Sequence, residues 1–177
     1  MEESFWSEVW EKNDLGFHQA DTNPYLKKYW PLLPLKAGDS VFVPLCGKTL
    51  DMLWILKQGV QVVGVELSEL AIESFFAENQ LPYTREKVSS TLACYRNQHL
   101  GLTLWQGDFF QLPPSALTQV QAVYDRAAMV ALPPEMRHAY VQQLQRILPS
   151  AHRLLVVMEY NPEKNLQGEL LGPPFSV

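Results

Sequence analysis

The chain has 177 residues, 47% hydrophobic and 19% charged, which is the make-up of a single globular domain. Its net charge of −5 excludes the basic face that nucleic acid or an anionic membrane requires of a partner. No apolar run reaches membrane-spanning length and the start, MEESFW, has no signal pattern, so a cytoplasmic protein is expected. Cys46 and Cys94 have neither metal-type nor redox spacing, which predicts reduced thiols. His18, His99, His138 and His152 are scattered, and no metal site is expected.

Residues 4–17 open with Phe5, Trp6, Val9 and Trp10 on one helical stripe, with Ser4 as cap. Trp6 reads as packing on the core, whereas Trp10 and Phe17 suit either packing or an aromatic wall over a bound base. A segment in this place can close over a ligand as a lid. Asn23-Pro24 opens a short helix that Pro31 and Pro34 stop. Val41 to Leu45 is a buried strand, Cys46-Gly47-Lys48 a tight turn, and Thr49 to Gly59 a helix. Gln61 to Val65 is a second strand, closed by Glu66.

Ser68 caps a helix whose apolar residues are Leu70, Ala71, Phe75 and Phe76. Residues 84–101 are polar and read as a long connection with marginal strand character. Leu102 to Trp105 is a third strand, and Asp108 after it either caps a turn or reads an adenine amino group, with Phe109 beside the ring. Val120 to Tyr124 is a fourth strand leading to Asp125-Arg126, where Arg126 either faces a ligand or pairs with a carboxylate. A helix from Pro133 presents Met136, Tyr140, Val141, Leu144, Ile147 and Leu148, and Leu154 to Met158 is a fifth strand. Alternating strands and helices predict an α/β fold, a doubly wound, mostly parallel sheet with helices on both faces.

The stretch from Ser40 to Glu66 carries the chemistry. Strand, glycine turn, helix, strand and terminal acid make the first crossover of a nucleotide-binding sheet. A dinucleotide fingerprint needs three glycines where this turn has only Gly47, and a phosphate loop needs a glycine at the position of Phe42. A turn that keeps the acid and lacks the phosphate cradle suits a phosphate-free nucleoside such as S-adenosylmethionine, with Glu66 accepting the ribose hydroxyls. Cys46, beside the turn, reads as a small packed residue rather than a nucleophile.

Across nearly its whole length the chain resembles the thiopurine S-methyltransferase family in its short bacterial form. The resemblance rests on FW-S-E-V-W near the start, G-F-H-Q at Gly16 to Gln19, V-P-L-C-G-K at Val43 to Lys48 and D-M-L-W at Asp51 to Trp54. It continues through V-V-G-V-E-L-S at Val62 to Ser68, D-R-A-A at Asp125 to Ala128 and G-P-P-F at Gly172 to Phe175. It implies a Rossmann-like methyltransferase with S-adenosylmethionine as cofactor. Trp10, Leu45, Glu66 and Arg126 would contact that cofactor, with Gly47 in the turn; Asp108 and Phe109 would hold the adenine, and Phe17 and Arg126 would face the acceptor. Asp14 is a candidate proton acceptor through its place in the lid. The implied layout is one domain over 1–177: N-terminal lid helices (1–38), the nucleoside-binding core (39–160) and a C-terminal segment (161–177). That segment stops before the helix and antiparallel hairpin with which family members complete their sheet, leaving the fifth strand with an open edge.

The implied reaction moves a methyl group to the sulfur of an aromatic or heterocyclic thiol, or to selenium or tellurium, in a monomer acting on small molecules without nucleic acid or membrane. The residues leave two other readings open, a non-catalytic S-adenosylmethionine-binding protein and an NAD-type oxidoreductase.

Overall fold

The computed structural model describes Trp10 and residues 18–157. Seven strands form one sheet: β1 (Ser40–Val43), β2 (Gln61–Glu66), β3 (Thr84–Lys87), β4 (Ala93–Asn97), β5 (Leu102–Gln106), β6 (Val120–Arg126) and β7 (His152–Val156). The helices are α1 (Pro24–Tyr29), α2 (Asp51–Leu56), α3 (Glu69–Glu78), α4 (Ala128–Ala131) and α5 (Pro134–Ile147). The spatial order β3-β4-β5-β2-β1-β6-β7 is parallel from β5 to β7, with β3 and β4 antiparallel at one edge.

The direction of winding reverses at β1, which pairs with β2 on one side and with β6 on the other. A reversal of this kind splays the following loops apart and opens a crevice at the carboxyl ends of the strands. Alternation along the central strands fills a core on each face. Val41 and Val43 pack on one side with Met52, Ile55, Ile72, Phe75 and Tyr124. Phe42 points the other way and joins Val65, Phe109, Val123, Tyr140 and Leu144. Strands buried on both faces read as continuous apolar runs, which is why β1, β2 and β6 were legible in sequence.

Four expectations need correction. The connection predicted over 84–101 is a hairpin, β3 and β4. Every residue of β3 (TREK) is exposed, so it shows no apolar alternation, and it is held by cross-strand pairing and by the Arg96–Glu86 ion pair at 2.7 Å. A charged, short strand is what a sheet edge accommodates. The fifth predicted strand begins two residues early, at His152, because its ladder with Ala122 to Arg126 sets its range rather than its apolar run.

The helix predicted from Thr49 to Gly59 is regular only over α2, with turns on either side. Val141, predicted on the apolar face of its helix, is exposed, while Gln143 takes a buried place on α5. The short α4 was not anticipated. Seven strands are thus reached by a hairpin beyond β5; among the described residues β7 is the opposite edge, with Leu155 exposed.

Candidate active site

The turn after β1 is built around a hydrogen-bonded carboxylate. Cys46 donates its amide to Val65 O at 2.9 Å, which ties the turn to β2. Gly47 then donates its amide to Glu66 Oε2 at 2.8 Å, and Ser68 donates to Oε1 at 2.9 Å. Leu45 (φ 44°) and Gly47 (φ 50°) both adopt left-handed backbone, a cost for leucine that the surrounding bonds must hold in place. At Gly47 a side chain is excluded for a second reason: a Cβ there would lie 3.2 Å from the Trp10 ring. Trp10 is itself buried, with its indole against the turn.

Glu66 is buried, and burial raises its pKa above the ordinary carboxylate value, opposed by the amides of Ser68, Gly47 and Leu67. Cys46 is no nucleophile: burial, and then Glu66, push its thiol well up, and its sulfur packs against Gly64. A Cβ on Gly64 would fall 2.7 Å from Leu104 Cδ2 and 2.8 Å from Cys46 Sγ, so that glycine lets β2 sit against the turn.

At the end of β5, Gly107 donates to Glu66 O at 2.9 Å, and Asp108 caps a short 3-10 turn by accepting from Phe110 N at 2.9 Å. The capping alternative for Asp108 is therefore realised, while the residue also lines the crevice. Phe109 is nearly buried, stacked on Phe42 with centroids 6.4 Å apart and tilted against Tyr140 at 5.0 Å, and still contributes to the crevice wall. The hairpin loop, unseen in the sequence, brings Ser90 and Thr91 to the rim, and Thr91 O would lie only 2.5 Å from a Cβ on Gly107.

At the end of β6, Tyr124 donates to Asp51 Oδ2 at 2.8 Å, and Asp51 Oδ1 accepts the Asn23 amide at 2.7 Å. This buried carboxylate joins α2, β6 and the segment preceding α1. Asp125 turns away from the crevice and accepts the Tyr140 hydroxyl at 2.6 Å, fastening β6 to α5. Burial raises the pKa of both Asp125 and Tyr140, and the phenol keeps its proton to satisfy the carboxylate. Arg126 lines the crevice, followed by Ala127 in left-handed backbone (φ 67°).

The resulting crevice has a volume of ≈ 550 Å³, within the usual range for a small-molecule site. It gathers Trp10, Leu45, Gly47, Glu66, Asp108, Phe109 and Arg126, all of them singled out in sequence. Asp14 and Phe17 lie outside the described residues, as does the G-P-P-F segment. Sequence reasoning missed His18, Lys48 and the Asp51–Tyr124 pair, which also line it. Lys48 follows the turn glycine directly, and its nearly buried side chain donates to Glu78 at 2.7 Å.

The residues present fit a nucleoside without phosphate. In a phosphate-binding loop free amides face the ligand; here the Gly47 amide is spent on Glu66, so the turn offers a carboxylate. Among the described residues no group of His, Cys, Asp and Glu could hold a metal ion, and no helix is long and apolar enough to cross a membrane.

Sheet order, switch-point crevice and acid-terminated β2 make this a Rossmann-like nucleoside-binding fold, and the family whose sequence model it matches makes the chain an S-adenosylmethionine-dependent methyltransferase. The same fold is seen in a TehB-like methyltransferase of Corynebacterium glutamicum, with a TM-score of 0.53 at 14% identity, covering 85% of this chain and 68% of that one. The sequence model of the thiopurine S-methyltransferase family matches residues 1–177, and the chain belongs to that family. A thiopurine S-methyltransferase of Pseudomonas fluorescens is 47% identical over all of this chain and 78% of its own length. One from Nitrosospira multiformis is 48% identical, with 77% of its length covered.

Proposed function

We propose that the chain methylates sulfur on an aromatic or heterocyclic thiol, and selenium or tellurium on related small acceptors. The Glu66 carboxylate, buried at the end of β2 between two backbone amides and opening on a crevice of nucleoside size, supports the cofactor half of this reading, and the family match supports the thiol half. The cofactor supplies a methyl group already activated on a positive sulfur. The protein's own work is then to hold two reactants in line and keep water out.

In this reading Glu66 accepts the ribose hydroxyls through lone pairs its amide donors leave open. Leu45 and Gly47 meet the methionine end, Asp108 and Phe109 the adenine, and Trp10 covers the cofactor. Arg126 and Phe17 orient the acceptor, and Asp14 is a proton acceptor in the lid formed by residues 1–38. The core spans 39–160, and the protein acts as a cytoplasmic monomer on small molecules. Aromatic thiols are largely ionised near neutral pH, so their methylation needs no strong base.

Calorimetric titration and turnover test the reading together. S-adenosylmethionine and its demethylated product are expected to bind and NAD not to. A panel of heteroaryl thiols, selenite and tellurite is expected to give methylated product mole for mole with demethylated cofactor. Binding without turnover on any acceptor would favour a non-catalytic cofactor-binding protein instead.

A further inference from the structure

Across the carboxyl ends of the strands, the crevice runs from the turn after β1 to the ends of β2 and β5, and then to the loop between β3 and β4. β4 is antiparallel to β5, with Ala93 opposite Gln106, so the residues that lead into β4 (88–92) lie beside the end of β5. A hairpin loop therefore stands at the end of the crevice farthest from the Leu45–Gly47 turn.

This loop is fastened internally and to its neighbours. Ser89 Oγ accepts the amides of Thr91 at 3.2 Å and Leu92 at 3.0 Å, and Leu92 O accepts those of Val88 at 2.9 Å and Ser89 at 3.0 Å. Its backbone lies on the end of β5: a Cβ at Gly107 (φ 141°) would fall 2.5 Å from Thr91 O and 2.6 Å from Leu92 Cδ2. A side-chain clasp completes the rim. Thr91 Oγ1 donates to Gln111 Oε1 at 2.9 Å, and the Gln111 amide donates to Asp108 O at 2.9 Å. Asp108 Oδ1 accepts the Phe110 amide, which leaves Oδ2 to accept from a group in the crevice. Thr91, Asp108 and Gln111 all line that crevice.

We infer that the Thr91–Gln111 clasp is the far wall of the nucleobase seat, and that it makes the β3–β4 hairpin select a cofactor whose adenine amino group is unsubstituted. The inference rests on the reading that Glu66 takes the ribose and Asp108 the adenine amino group. Neighbouring strands stand about 4.8 Å apart, so a ribose at the end of β2 carries its base over the end of β5. The amino edge of the base then points at the next structure along, the clasp. A free amino group fits beneath it and donates to Asp108, whereas a large substituent on that nitrogen meets Thr91 and Gln111.

Calorimetry on the 177-residue chain tests this with two probes, the demethylated cofactor and its N6-benzyl derivative. Wild type is expected to bind the derivative about 100-fold more weakly than the parent, the scale of a bulky group forced into a filled site. In Thr91→Ala/Gln111→Ala the gap should narrow to about 10-fold or less, through a gain on the derivative against a few-fold loss on the parent. Both side chains are exposed, so the variant should keep its Tm, and Gln111→Ala alone should move the ratio part of the way. Glu66→Ala, at the ribose, should weaken both probes alike and leave the ratio unchanged. A wild type that binds both probes equally, or a ratio that does not move when the clasp is trimmed, would overturn the inference; if Glu66→Ala still weakens the parent, the cofactor reading stands. A parent probe that does not bind, or binds regardless of Glu66, would overturn both.

Discussion

Replacing Glu66 by alanine is expected to weaken S-adenosylmethionine binding by about 1–3 kcal/mol, roughly 5- to 150-fold in Kd. Two losses combine. In the proposed reading the ribose loses a charged acceptor, and the Gly47 and Ser68 amides lose the carboxylate that shapes the turn. Glutamine is the informative companion. Its amide nitrogen must point at one of two backbone N–H donors, so it should recover volume without recovering affinity.

The pH dependence has a definite sign. Burial raises the Glu66 pKa, so the folded state favours the protonated acid more than the unfolded chain does. Its contribution to folding is therefore least unfavourable at low pH, and the penalty grows as pH rises through the window between the unfolded and folded pKa values. Binding runs the other way. In the proposed reading the ribose hydroxyls need a carboxylate, so affinity should fall on acidification, and sooner than for an ordinary glutamate. Calorimetry from about pH 5 to 8 reads this directly, and Glu66→Gln should flatten the profile.

Gly64→Ala is expected to destabilise the fold by about 1–3 kcal/mol, a Tm drop on the order of 3–10 °C for a domain of this size. The new methyl would meet Leu104 Cδ2 at 2.7 Å and Cys46 Sγ at 2.8 Å, and Leu104 is fully enclosed. Cys46 is the partner able to yield, and when it moves it carries the turn away from Glu66. Stability and cofactor affinity should therefore fall together. Trimming the neighbour in Gly64→Ala/Cys46→Ala should return part of the Tm, since residues in contact couple. An unchanged Tm in the single variant would mean that β2 and the turn are not in the close contact described.

The parts of this fold that sequence reveals are those whose pattern has one physical cause. β1, β2 and β6 are buried on both faces, so Val41-Phe42-Val43 or Ala122-Val123-Tyr124 are apolar throughout, and their shortness, β-branched or aromatic content and flanking turns mark them as strands. β3 is the opposite case: it has no buried side chain and is a strand only because β4 lies beside it. Pairing is non-local information, and Thr84-Arg85-Glu86-Lys87 carries none of it. Val141 and Gln143 show the same limit on a helix. Hydropathy assigned the valine inward, but the helix axis presents Gln143, which donates to Phe110 O and accepts from Arg146.

In the crevice, Glu66 and Gly47 were legible because position in a crossover unit implies a job. Asp51 was not. It stands in the first turn of a helix, where an acid ordinarily complements the dipole, and its link to Asn23 and Tyr124 spans distant segments. Asp125 was misleading in the other direction: beside Arg126 at a strand end it resembles a ligand contact, yet it serves Tyr140.

A crystal structure with the demethylated cofactor tests the central claim most directly. The adenosine is expected between the Leu45–Gly47 turn and Phe109, with both ribose hydroxyls within about 3 Å of the Glu66 carboxylate. A cofactor seated elsewhere, or a ribose that makes no contact with Glu66, would contradict it.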